Sequence, residues 1–152
     1  MTTLIANKDV RTINKGILVS RAAAALPSTA IGTIFNITGG RILIVSLSGQ
    51  VATLLSGTNS TTVGLTPTYN STSAPAALSS AGIIPTAAGS PIVSKLDGGA
   101  LIVAASGSVI APSPWLATPG AVTITTASTV TGTVGWEILY VPLDNGAQVA
   151  AA

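Results

Sequence analysis

Residues 134–141 constrain this chain more than any other stretch. Val134, Trp136, Ile138 and Tyr140 alternate with Gly135, Glu137, Leu139 and Val141. A period of two sends successive side chains to opposite faces, so the segment predicts a β-strand with one bulky aromatic-aliphatic face. The second face is also mostly apolar, which places the strand at the centre of a sheet or at an interface. Pro142 cannot donate to a ladder and ends the strand. Asp144-Asn145-Gly146 forms a turn, because Asn and Gly tolerate positive φ. Gln148 then leads into the uncharged residues Val149 to Ala152. Trp136 and Tyr140 are expected to serve the fold. Residues 146–152, with Val149 as the candidate contact, are expected to meet a neighbouring subunit.

The rest of the chain repeats the β signal in shorter pieces. Residues 31–38 and 41–47 predict two strands joined by Gly39-Gly40 as a hairpin. Ser48-Gly49 breaks the run, with a third strand over 50–55 and a fourth over 61–65. Residues 66–91, punctuated by Pro67, Pro75, Pro85 and Pro91, predict a long surface loop with a helical turn at 76–80. Strands return at 92–96, 100–104, 108–111 and 121–127. A loop between Pro112 and Pro119 carries Trp115. Residues 39–49 and 98–107 share a Gly-Gly, strand, Ser-Gly pattern, which fits either two related hairpins or the chance recurrence of turn and strand. With Gly and Pro turns and no long helical pattern, the fold class is all-β: an antiparallel sandwich or barrel with long Pro/Gly/Ser/Thr-rich loops.

Composition narrows this further. At 152 residues the chain predicts one domain, able to bury roughly 70% of its unfolded surface. High hydropathy would suit a membrane protein, but apolar runs of four or five residues fall far short of the ~20 of a spanning helix. Five aromatic residues cannot supply the two girdles of an outer-membrane barrel. Membrane association is therefore not expected. Only 7% of residues are charged, against a typical ~25%. So weakly charged a surface is poorly defended against association, which predicts that partners cover much of it.

The few charges are segregated. Lys8, Arg11, Lys15, Arg21 and Arg41 lie early and are opposed there only by Asp9, whereas Asp97, Glu137 and Asp144 lie late. Residues 1–27 are expected to form a basic arm, with a short strand at 17–19 and a helical turn at 22–26 ended by Pro27. Residues 28–152 form the single β-domain. Lys8, Arg11, Lys15 and Arg21 are candidate partner contacts, on a protein rather than on nucleic acid, because stacking aromatics and dense basic clusters are missing. Arg21 interrupts any signal-peptide core, so cleavage is not expected.

Residues for catalysis are scarce. The chain has no His and no Cys, which removes the commonest bases, thiolate chemistry and most zinc ligands. Asp97 near Lys95 suits a surface ion pair, and Glu137 is placed to pair with Arg41 across strands. A glycosidase pair drawn from Asp97, Glu137 and Asp144 is the remaining enzymatic option. No cofactor, metal or small-molecule substrate is expected. The sequons at Asn36, Asn59 and Asn70 arise by chance in so Thr/Ser-rich a chain. Trp115 serves either as an interface or sugar-stacking anchor or as a plug packed on the domain.

The stretch IGTIFNITGGRILIVSLSGQVAT, a Thr-rich middle and the close GWEILYVPLDNGAQVAAA together resemble small β-rich virion proteins of tailed bacteriophages. The resemblance covers the two ends of the domain and fades over residues 66–91. Its motifs are strand and turn patterns, not chemical signatures. It implies a structural role with no catalytic residues: a head decoration, cement or minor capsid protein, commonly trimeric, on the capsid exterior and bound to the major capsid protein. A tail, fibre or host-surface-binding module is the other expectation, with exposed loops and Trp115 as its contacts.

Overall fold

The computed structural model describes residues 15–56, 59–70, 75–84, 87–94, 102–103 and 114–152. In chain order the strands are β1 (Ile17–Ala25), β2 (Ile31–Thr38), β3 (Ile42–Thr53), β4 (Asn59–Pro67), β5 (Ala76–Ala77), β6 (Gly82–Ile84), β7 (Pro91–Ser94), β8 (Ile102–Val103), β9 (Trp115–Ala117), β10 (Gly120–Thr126), β11 (Thr133–Pro142) and β12 (Gln148–Ala151). They form two antiparallel sheets packed as a sandwich, not a closed barrel. Sheet A runs β1-β11-β3-β7-β8, with β9 also on β3; sheet B runs β12-β2-β10-β4-β5, with β6 also on β4.

The alternation in β11 has the predicted consequence. Val134, Trp136, Ile138 and Tyr140 are buried, and they meet Phe35, Ile37, Val122 and Ile124 of sheet B in one core. Bulges keep the other strands in phase. Across β3, Leu139 pairs with Ser46 and Tyr140 with Ile44, leaving Val45 as an extra residue. The bulge shifts the phase by one, so Ile42 and Ile44 on one side of it and Leu47 and Val51 on the other all face inward. In β2 the pairing steps from Phe35 to Thr33 opposite Val122 and Thr123. Ile34 is the extra residue there, and both Ile34 and Phe35 enter the core.

Several sequence expectations are corrected. Ser48-Gly49 does not interrupt the strand: Gly49 lies opposite Trp136, and the indole fills the space that a side chain would need. Residues 31–47 are not a hairpin, because β2 and β3 belong to different sheets and Gly39-Gly40 carries the chain between them. Residues 17–25 of the arm expected over residues 1–27 belong to the sandwich. Ile17–Ala25 is an edge strand paired with β11, and Ile17 and Val19 pack on the core. The helical turn expected at 22–26 is extended chain as far as Ala25, with a bulge between Arg21 and Ala24. The turn expected at 76–80 begins instead as β5, paired with Gly64 and Leu65. Leu78 then enters the core, and the Ser79 hydroxyl accepts from the Val63 amide at 2.9 Å. The Trp115 loop is β9, paired with residues 42–44. The strand expected at 108–111, the Lys95–Asp97 pair and the Gly98-Gly99 turn lie outside the described residues.

Two connections that change sheets meet at one corner: β2 to β3 through Gly39-Gly40, and β11 to β12 through Asp144-Asn145-Gly146. Positive φ at Gly39, Gly40 and Gly146 shapes both turns. A Cβ on Gly40 would stand 2.6 Å from Cβ of Asp144. The Asp144 carboxylate accepts from the Arg41 amide at 2.8 Å, from its Nε at 2.9 Å and from its Nη2 at 2.7 Å. Arg41 is therefore engaged with Asp144 rather than with Glu137. The hydrogen bonds from the Arg41 side chain and backbone hold the Asp144 carboxyl down at about 2.

Candidate interaction face

The outward side of sheet A follows from the same register that builds the core. In a paired row, side chains directly opposite one another share a face. Leu18, Leu139 and Ser46 form one row, and Val141, Leu43 and Leu116 the next. Leu18 is 59% and Leu116 55% exposed, and Leu43, Val45, Leu139 and Val141 are half-buried. These six side chains form an apolar area with no charged residue in it among the described residues. The following rows change character: Ser20, Glu137, Ser48 and Val93, then Gly135, Gln50 and Pro91. They line a groove of about 340 Å³. Glu137 is exposed, and its carboxylate accepts from the Ser20 hydroxyl at 3.2 Å.

The face has the dimensions of a protein interface. Four strands at about 4.8 Å spacing, along a strand of ten residues at about 3.4 Å each, span roughly 20 by 34 Å. That is close to the ~800 Å² that each partner contributes to a standard specific complex. The outward side of sheet B differs. Its rows of Asn36, Ala121 and Thr66 and of Ile31, Thr125 and Thr62 are mainly polar and uncharged. Pro75 covers part of it near Gly64 and Thr123.

Of the sequence-derived contact residues that are described, only Arg21 borders this face, at the groove. Lys8 and Arg11 lie outside the described residues. Lys15 is exposed just ahead of β1. Arg21 pairs opposite Trp136, and its Nε donates to the Ala152 carbonyl at 2.8 Å, joining the edges of the two sheets. Trp115 pairs with Ile44 and packs on the core, half-buried, so Leu116 is the outward residue of β9. Val149 is not available to a neighbouring subunit. It is buried opposite Ile37, and its amide donates to the Tyr140 hydroxyl at 3.3 Å. Sequence reasoning missed Leu18, Leu43 and Leu116. The one available signal was the second apolar face of residues 134–141.

Among the described residues, Glu137 and Asp144 do not form a hydrolytic pair. Glu137 and Asp144 are separated by the distal half of β11, about 17 Å at 3.4 Å per residue, beyond the ~5–9.5 Å that glycosidase carboxylates need. Asp97 lies outside the described residues. Among the described residues no three His, Cys, Asp or Glu side chains gather as a metal site, and no helix is long and apolar enough to cross a membrane. No family model, characterised protein or solved structure matches the chain.

Proposed function

We propose that this chain is a non-enzymatic virion structural protein, a capsid decoration or cement protein on the shell exterior. It binds the major capsid protein and itself assembles as a homotrimer. The observation that carries this reading is the uncharged apolar area of Leu18, Leu139, Leu43, Val141 and Leu116 on the open face of a sandwich whose core is already complete. Apolar area left in water by folding is stabilised by covering it, at about 25 cal/mol per Å². A partner that spans two shell subunits and buries this face adds its binding energy to their contact and raises the barrier to rupture. The resemblance of residues 31–53 and 135–152 to phage virion proteins points the same way.

The reading as a tail or host-surface module keeps its exposed loops but loses Trp115 as an anchor, because that side chain turns inward. Location and copy number in the particle test the proposal. Density on the head at hundreds of copies supports it. Density confined to the tail, or absence from purified particles, rejects it.

A further inference from the structure

We infer that the groove at Gly135 and Glu137 receives an arginine side chain of the partner protein. The inference rests on the capsid-binding reading above and names the chemistry that the partner brings.

The groove exists because Gly135 has no side chain. Other glycines of the sheets are required by the fold. A Cβ on Gly49 would lie 2.9 Å from the Trp136 ring, and one on Gly64 2.7 Å from Pro75. At Gly135 the nearest atoms to a Cβ are 3.7–3.9 Å away on β1, an ordinary van der Waals distance, and its φ is not positive. Neither packing nor backbone conformation therefore demands glycine. What glycine leaves is a floor, walled by Pro91 and Val93 and lined by Glu137, Ser20, Ser48 and Gln50; Arg21 also borders it, with its Nε donating to the Ala152 carbonyl.

The polar groups offer acceptors. Among the described residues no cation pairs with Glu137, which accepts from the Ser20 hydroxyl. The Gln50 amide nitrogen donates to the Gly89 carbonyl at 3.4 Å, which leaves its side-chain oxygen turned to accept. A carboxylate, an amide oxygen and the Ser48 hydroxyl suit a donor-only planar group, and a guanidinium presents five N–H donors in a fork that matches a carboxylate. The aliphatic stem lies on Pro91 and Val93. A sugar fits less well, because it wants an exposed aromatic ring and Trp136 is only 1% exposed beneath the floor. Among the described residues a metal ion would find a single carboxylate there.

Amide NMR of the full chain titrated with N-acetyl-arginine amide tests the site apart from any capsid, with N-acetyl-norleucine amide as the uncharged control. The expected result is saturable shifts at Ser20, Ser48, Gln50, Gly135 and Glu137 with the arginine probe alone. They are lost in Glu137→Gln and in Gly135→Val, both of which keep the wild-type melting temperature within about 3 °C. Shifts scattered over the surface, or unchanged in Glu137→Gln, overturn the site. Shifts that appear only in Lys95→Gln also overturn it, because the chain would then fill its own groove. Binding to expanded capsids separates the two claims. Loss of at least tenfold in affinity for Glu137→Lys supports both. Arginine binding without capsid binding by the wild type leaves the site and rejects the decoration reading. Capsid binding unchanged in Glu137→Lys does the reverse.

Discussion

Gly49 stands directly opposite Trp136 in the ladder between β3 and β11, and the indole occupies the place of the missing side chain. The largest buried side chain of the protein is thus accommodated by the smallest residue on the next strand. Replacing Gly49 with Ala forces a Cβ against the buried ring, and overpacking of this kind costs about 1–3 kcal/mol. Trp136→Ala leaves a cavity instead and costs about 3–5 kcal/mol. Urea unfolding of both variants checks the pair; a neutral Gly49→Ala would show that the ring can move.

The corner between Arg41 and Asp144 predicts acid sensitivity of a definite sign. The Asp144 carboxyl titrates at about 2 in the folded protein, against an ordinary 3.8, so the folded state favours its charged form. A depressed pKa stabilises fully above the unfolded value and loses that contribution as pH falls through the folded one. Urea midpoints of the wild type and of Asp144→Asn should therefore differ above about pH 4 and converge towards pH 2. A constant difference across that range contradicts the assignment. Arg41 is exposed and Asp144 partly so, so added salt should narrow the gap.

The terminal strand is predicted to matter for folding. Removing Val149–Ala152 deletes most of β12, which pairs with β2, together with a core side chain and the acceptor for Arg21. The sequence alone suggested a tail that serves assembly more than folding. The register implies a lower melting temperature of the isolated chain. Tyr140→Phe removes the hydroxyl that accepts from the Val149 amide and should cost about 0.5–1.5 kcal/mol. Thermal unfolding of the two variants measures both effects, and an unchanged melting point for the truncated chain would restore the assembly role.

What could be read from the sequence was set by local periodicity. The inward face of β11, the Asp144–Gly146 turn and the strand at 121–127 each follow from alternation and turn chemistry within a few residues. The failures required knowledge of distant partners. Nothing near Gly49 says that an indole from residue 136 will lie over it. Gly39-Gly40 looks the same whether it closes a hairpin or crosses between sheets; the decision comes from Asp144, about a hundred residues later. The run of Ala22 to Ala25 has helical propensity, which pairing with β11 overrides. On the candidate face, the two apolar sides of residues 134–141 were visible, but Leu18, Leu43 and Leu116 join Leu139 and Val141 only through register. Trp115 drew attention by its type and proved to face inward.

The exposed leucines separate surface from core. Leu18→Asp and Leu116→Asp lie on the outward face of sheet A and should shift stability by no more than about 0.5 kcal/mol. Leu47→Ala, on β3 in the same sheet and fully buried, should cost about 2–5 kcal/mol. Guanidinium unfolding of the three variants distinguishes them. A large loss for Leu18→Asp would mean that this face is covered within the chain.

Binding of the Leu18→Asp, Leu116→Asp double variant to expanded phage capsids lacking this protein tests the central claim most directly. The wild type should saturate the shells and raise their resistance to heat or chelator. The folded double variant should lose at least a hundredfold in affinity and leave shell rupture unchanged. Equal binding and equal protection by the two proteins would contradict the account.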